Sequence, residues 1–162
     1  MVIDIIEAEL PGAIADQHAF RGDQTIVVPV GHFLAVVRLM HREGFQLLVD
    51  ITAVDWLERI PRFDVVYHWL NLASQERLRV KVPVADGEGV PTLTGMFKTA
   101  DWFEREVFDL FGIPFEGHPN LKRLLTWDDF RGHALRKDFP LDGGDAFCMD
   151  GCATPYNNGQ RN

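Results

Sequence analysis

The chain is 162 residues long, the size of one domain, with 46% hydrophobic and 25% charged residues, so it can bury a sizeable core and is no disordered polypeptide. Sixteen Lys and Arg against twenty-four Asp and Glu leave a net charge of -8, which excludes a free-standing nucleic-acid-binding role that works by neutralising phosphates. The uncharged run Thr25 to Val37 is broken by Pro29, Gly31 and His32, whereas a membrane-spanning helix needs roughly 20 apolar residues, so no direct membrane insertion is expected.

The start, Met1-Val2-Ile3-Asp4-Ile5-Ile6-Glu7, lacks the positive region and unbroken apolar core of a signal peptide. Cys148 and Cys152 alone do not make a disulfide framework, and the cytoplasm is the default compartment.

In chain order, Val2, Ile3, Ile6 and Leu10 form an apolar stripe of a short helix ended by Pro11. Thr25 to Val30 reads as a strand. From Gly31 to Arg42, Phe33, Val36, Val37 and Met40 fall on one helical face, and Gly44 is placed to end that helix. Three strands follow. In Phe45 to Thr52 the residues Phe45, Leu47, Val49 and Ile51 alternate with Gln46, Leu48, Asp50 and Thr52. Phe63 to Leu72 is apolar on both faces and so predicts an interior strand. Arg77 to Val84 alternates cleanly, with Leu78, Val80, Val82 and Val84 on one side. The short connections favour an antiparallel meander, because parallel neighbours need long crossovers. The fold class is therefore α+β: a single domain with a mixed, largely antiparallel sheet and helices packed on one face.

A further helix is bounded by Asp101, with Glu104 in capping-box position, and by Gly112 and Pro114. Trp102, Phe103, Val107, Leu110 and Phe111 supply its apolar surface. After Pro114 neither a 2.0 nor a 3.6 period persists. The expected organisation is an α+β domain over 1–114, an extended basic-aromatic docking segment over 115–140, and a flexible tail over 141–162.

Glu104, Arg105, Glu106 and Asp109 crowd one short helix. Paired carboxylates suit acid/base work or a metal, but no His or Cys joins them locally, and an Arg105–Asp109 pair at i, i+4 on a solvated face explains the pattern more simply. His118 and His133, each after a glycine, suit tight turns better than a zinc site, which wants four closely spaced ligands.

Lys122, Arg123, Arg131, Arg136 and Lys137 stand against Asp128, Asp129 and Asp138. They alternate with Leu121, Leu124, Leu125, Trp127, Phe130, Leu135 and Phe139. Arginine interleaved with aromatics is the composition of a protein interface, so a partner protein accounts for this segment better than water does. The sequence contains no dinucleotide-binding glycine motif, no phosphate-cradling loop, no serine nucleophile elbow and no four-cysteine cluster.

Three stretches together resemble the family of the 30 kDa subunit of respiratory complex I, the NADH-quinone oxidoreductase. They are Glu104-Arg105-Glu106-Val107-Phe108-Asp109-Leu110-Phe111-Gly112-Ile113, Gly117-His118-Pro119-Asn120-Leu121-Lys122-Arg123-Leu124-Leu125 and His133-Ala134-Leu135-Arg136-Lys137-Asp138-Phe139-Pro140. Ala134 stands where that family usually has proline.

The resemblance implies a non-catalytic scaffold in the peripheral arm of a proton-translocating NADH:quinone oxidoreductase. Such a chain would dock on the 49 kDa-type subunit at the cytoplasmic face of the inner membrane. FMN, iron–sulfur clusters and quinone would sit in other subunits and none in this chain. Glu104, Arg105, Glu106, Asp109, His118, Lys122, Arg123, Trp127, Phe130, His133, Arg136, Lys137, Asp138 and Phe139 are the expected interface, with Arg123, Arg136 and Lys137 meeting acids on the partner. Two rivals are an equivalent subunit of a membrane-bound hydrogenase or of a quinone oxidoreductase fed by another donor, and a stand-alone metalloenzyme using His118, His133 and Glu104 or Glu106.

Overall fold

A computed structural model of the chain describes residues 1–141. Its elements are α1 (Val2–Glu9), β1 (Asp16–Phe20), β2 (Asp23–Val27), α2 (Val30–Arg42), β3 (Leu47–Asp55), β4 (Phe63–Leu70), β5 (Arg77–Val84), β6 (Val90–Pro91), α3 (Ala100–Phe111) and β7 (Phe115–Glu116). The tail beyond Leu141, with Cys148 and Cys152, lies outside the described residues.

Strands β3, β4 and β5 form the expected antiparallel meander, and β2 joins β5 in parallel, giving the order β1-β2-β5-β4-β3. The sheet is mixed because α2, β3 and β4 lie between β2 and β5, a connection long enough for a parallel neighbour. The alternation in β5 becomes packing: Leu78, Val80, Val82 and Val84 are buried beside Phe63, Val65, Tyr67 and Trp69 of β4. On that face Phe33 of α2 meets Tyr67 at 4.6 Å between ring centres, and Phe97 meets Trp69 at 4.9 Å.

Three local readings differ from the structure. The sequence pattern does not predict β1; Arg21 and Gly22, both at positive φ, close it onto β2 in a two-residue turn. In β3 a register irregularity between Leu48 and Asp50 moves the buried set to Leu48, Ile51 and Ala53, leaving Leu47 and Val49 exposed. Helix α3 begins after Thr99 with no side-chain cap, so Asp101 and Glu104 do not form a capping box. Glu104 turns into the core instead, and Trp102 faces outward. The stop is as expected: Gly112 takes the left-handed conformation, φ +77°, and its N–H bonds the Phe108 carbonyl at 2.9 Å.

Candidate interface around helix α3

From residue 117 to Leu141 the chain has no regular secondary structure, as its lack of period predicts, yet it lies as a strap against its own domain. β7 pairs in parallel with β6. The strap then crosses α3, and Asp109 is what holds it. This fully buried carboxylate accepts the N–H groups of Leu124 (2.9 Å), Leu125 (2.7 Å) and Thr126 (2.9 Å), the Thr126 hydroxyl, and Arg123 Nη1 at 2.7 Å. Burial alone would raise its pKa. The bonds from Thr126, Arg123 and Leu124 outweigh that and hold it well below the usual carboxylate range.

The Arg105–Asp109 pair expected along the helix does not form. Asp109 is taken by Arg123, and Arg105 instead donates to the carbonyls of Lys122 and Arg123, each at 3.1 Å, while stacking 5.1 Å over Trp102. Arg123 also donates to the Gly132 carbonyl at 2.9 Å.

The two histidines are turn fixtures. His118 Nδ1 accepts the Asn120 N–H at 3.0 Å, so its other nitrogen, Nε2, carries the proton and faces the Asp101 carbonyl at 3.2 Å. His133 Nδ1 bonds the Asp109 carbonyl at 2.8 Å. Its ring lies so close to Gly112 that a Cβ there would stand 2.6 Å from it, so the helix stop must be glycine both for its φ and for this approach. Glu104 is fully buried and binds elsewhere, to the Leu93 N–H at 2.7 Å and the Thr92 hydroxyl at 2.5 Å. Burial pushes its carboxyl up to about 7. His118, His133, Glu104 and Glu106 therefore do not converge, and among the described residues no three metal-ligating side chains stand together.

The far end of the strap is tied by charge. Arg62 makes a two-bond pair with Asp55 (2.7 and 2.8 Å) and reaches Asp138 at 2.9 Å. Arg136 pairs with Asp86 and Asp138, and the Lys137 N–H donates to Asp55 at 2.8 Å. The Arg62 guanidinium holds Asp55 far below its ordinary pKa and Asp138 at about 2. Arg123 and Arg136, expected to meet acids on a partner, are thus neutralised within the chain.

Large apolar side chains of the strap face outward. Leu125 is 62% exposed, Leu135 53% and Trp127 43%, whereas Phe130 is buried between Trp127 and Phe139, at ring distances of 4.9 and 5.7 Å. Lys122 and Lys137 are exposed, and Glu106 is half-buried on α3. Sequence reasoning missed Asp55, Arg62 and Asp86. Each sits at a strand end or turn, where an isolated charge carries no periodic signal.

Known proteins resemble this chain in sequence and in fold. Residues 26–145 match the family described as "Respiratory-chain NADH dehydrogenase, 30 Kd subunit". A chain of Caulobacter vibrioides, named as a subunit of NADH-quinone oxidoreductase, is 45% identical over 141 residues, covering 85% of this chain and 71% of the relative. A protein of the same name from Geotalea uraniireducens is 42% identical over 142 residues, covering 86% and 87%. Among solved structures, a trypsin-resistant fragment of Nqo5 superposes with a TM-score of 0.67 at 32% identity, covering 75% of this chain and all of the fragment. A chain of an archaeal membrane-bound sulfane sulfur reductase superposes with a TM-score of 0.71 at 27% identity, covering 96% of each.

Proposed function

This chain belongs to the family of the 30 kDa subunit of respiratory-chain NADH dehydrogenase, and on that premise we propose that it is a structural subunit of the peripheral arm of an NADH:quinone oxidoreductase. It docks through residues 115–140 on the 49 kDa-type subunit and carries no redox group of its own. FMN, iron–sulfur clusters and quinone are bound by other subunits, and the assembly sits on the cytoplasmic face of the membrane. No helix among the described residues is long and apolar enough to cross a bilayer.

The observation that carries the reading is the arrangement of the strap. Arg123, Arg136 and Asp138 are spent on Asp109 and on the Arg62 cluster, while Leu125, Trp127 and Leu135 are held outward on an ordered backbone. Ordering these side chains before the partner arrives reduces the entropy cost of association. Apolar surface so presented contributes about 25 cal/mol per Å² once covered.

A second reading has its own support: the 96% coverage of a chain from a membrane-bound sulfur reductase fits the same scaffold in an assembly fed by another donor. The scaffold role is tested by Leu125→Asp with Leu135→Asp in the native organism. Both side chains are exposed, so the fold should persist while the assembled complex and the NADH:quinone reductase activity of membranes are lost. Normal amounts of active complex would refute the docking role. Identifying the subunits that co-purify decides between the two assemblies.

A further inference from the structure

The connection between β3 and β4, residues 56–62, is not part of the strap, yet it is built with it. Trp56 Nε1 donates to Asp64 at 2.8 Å, and Arg59 forks onto the same carboxylate. Arg62 joins Asp55 at the root of the turn to Asp138 of the strap, while the Lys137 backbone is fixed to Asp55. Every carboxylate of this cluster, Asp55, Asp64, Asp86 and Asp138, is paired with an arginine of the chain.

The tip of the turn points its apolar side chains at solvent. Ile60 is 93% exposed, and Trp56 and Leu57 are more than two-fifths exposed. Lys137 lies 6.0 Å over the Trp56 ring, and Arg59 lies 5.1 Å from the same ring. Among the described residues neither Lys137 nor Glu58 has an ion-pair partner, whereas Asp55, Asp64, Asp86 and Asp138 are each paired with an arginine.

Exposed tryptophan, arginine and large aliphatic side chains on a braced frame make the composition of an interface centre rather than of a solvated loop. Continuity with the strap and the residual charge together indicate the occupant. The network pairs the four Asp side chains with arginines and leaves Lys137 exposed beside Trp56, a cation that a carboxylate on the partner would complement.

We propose that the turn 56–61 and strap residues 135–137 form one composite docking surface for the same neighbouring subunit that receives the strap. That subunit provides an apolar depression for Leu57 and Ile60 and a carboxylate opposite Lys137. This rests on the docking role proposed above and extends it to an element outside the strap.

The test uses the assembled complex in its membrane. A photo-reactive p-benzoylphenylalanine is placed at position 60 in one strain and at position 135 in another, and the crosslinked partners are identified by mass spectrometry. A carbodiimide, which joins an amine to a carboxylate in direct contact, is applied to the unsubstituted complex. The expected result is that positions 60 and 135 crosslink to the same subunit and that Lys137 is joined to one of its Asp or Glu residues. Ile60→Asp with Leu57→Asp should then weaken association at least about tenfold, the cost of losing one interface anchor of roughly 1.4 kcal/mol. Crosslinking at 135 with position 60 reaching only lipid, only a second copy of this chain, or nothing, would overturn the composite surface alone. Silence at both positions would overturn the docking role itself.

Discussion

Asp109→Asn is the sharpest perturbation of the strap. The substitution is nearly isosteric, but it removes the charge opposite Arg123 and presents an amide donor to a cradle of N–H groups. Breaking a buried ion pair by removing one partner costs roughly 3–5 kcal/mol. Arg123 keeps some contact with water, so about 3 kcal/mol is the appropriate end of that range.

Such a loss is smaller than the roughly 5–15 kcal/mol stability of an ordinary domain, so the sheet should stay folded while the strap opens locally. Amide hydrogen exchange reads this directly. Leu124, Leu125 and Thr126 should exchange about a hundredfold faster, since each factor of ten corresponds to about 1.4 kcal/mol. Val65, Tyr67, Val80 and Val82 in β4 and β5 should be unchanged. Wild-type protection at 124–126 in a folded variant would show that Asp109 does not hold the strap.

Glu104, raised to about 7 from an ordinary 4.5, binds its proton more tightly in the folded state. Its contribution to stability is therefore complete below about pH 4.5 and falls by about 3 kcal/mol as pH rises through 7; Glu104→Gln should flatten the difference between melting curves at pH 5 and pH 8. Asp138 and Asp55 are depressed, so the stability they lend is present above about pH 4 and is lost as pH falls through 2 and below. The protection of the Lys137 amide, its exchange relative to an unstructured peptide at the same pH, should therefore fall in acid, and Arg62→Met should weaken that dependence. Gly112→Ala forces an L side chain to a positive φ, about 1–2 kcal/mol, and drives a Cβ into His133, so the melting temperature should drop by several degrees. Gly31→Ala, inside α2 with open space at its Cβ, should leave the melting temperature unchanged or raise it.

Where local chemistry governs, residues and structure agree closely. Helix α2 follows from the spacing of Phe33, Val36, Val37 and Met40, β5 from the alternation of Leu78 to Val84, and the end of α3 from a glycine that alone adopts its conformation without strain. The family was legible too, because the three quoted stretches preserve residue types and spacings together. β1 is not legible because Asp16–Phe20 is an exposed edge strand with no apolar face to alternate, and the β3 register is not legible because a bulge breaks the period of two.

The acids of α3 stand together in the sequence, but their spacing alone does not show how each is wired. Glu104 and Asp109 lie five positions apart on one helix, yet the first clips the loop at Leu93 and the second anchors the strap. Arg62 meets Asp138 across 76 positions and Asp55 meets Lys137 across 82. Residues alone determine which stretches are helical, which strands are half-buried and which segment lacks a period, because those depend on neighbours within a few positions. Only the tertiary structure decides whether a charge is spent inside the chain or offered outward, because ion pairing depends on distance in space and on the burial that folding creates.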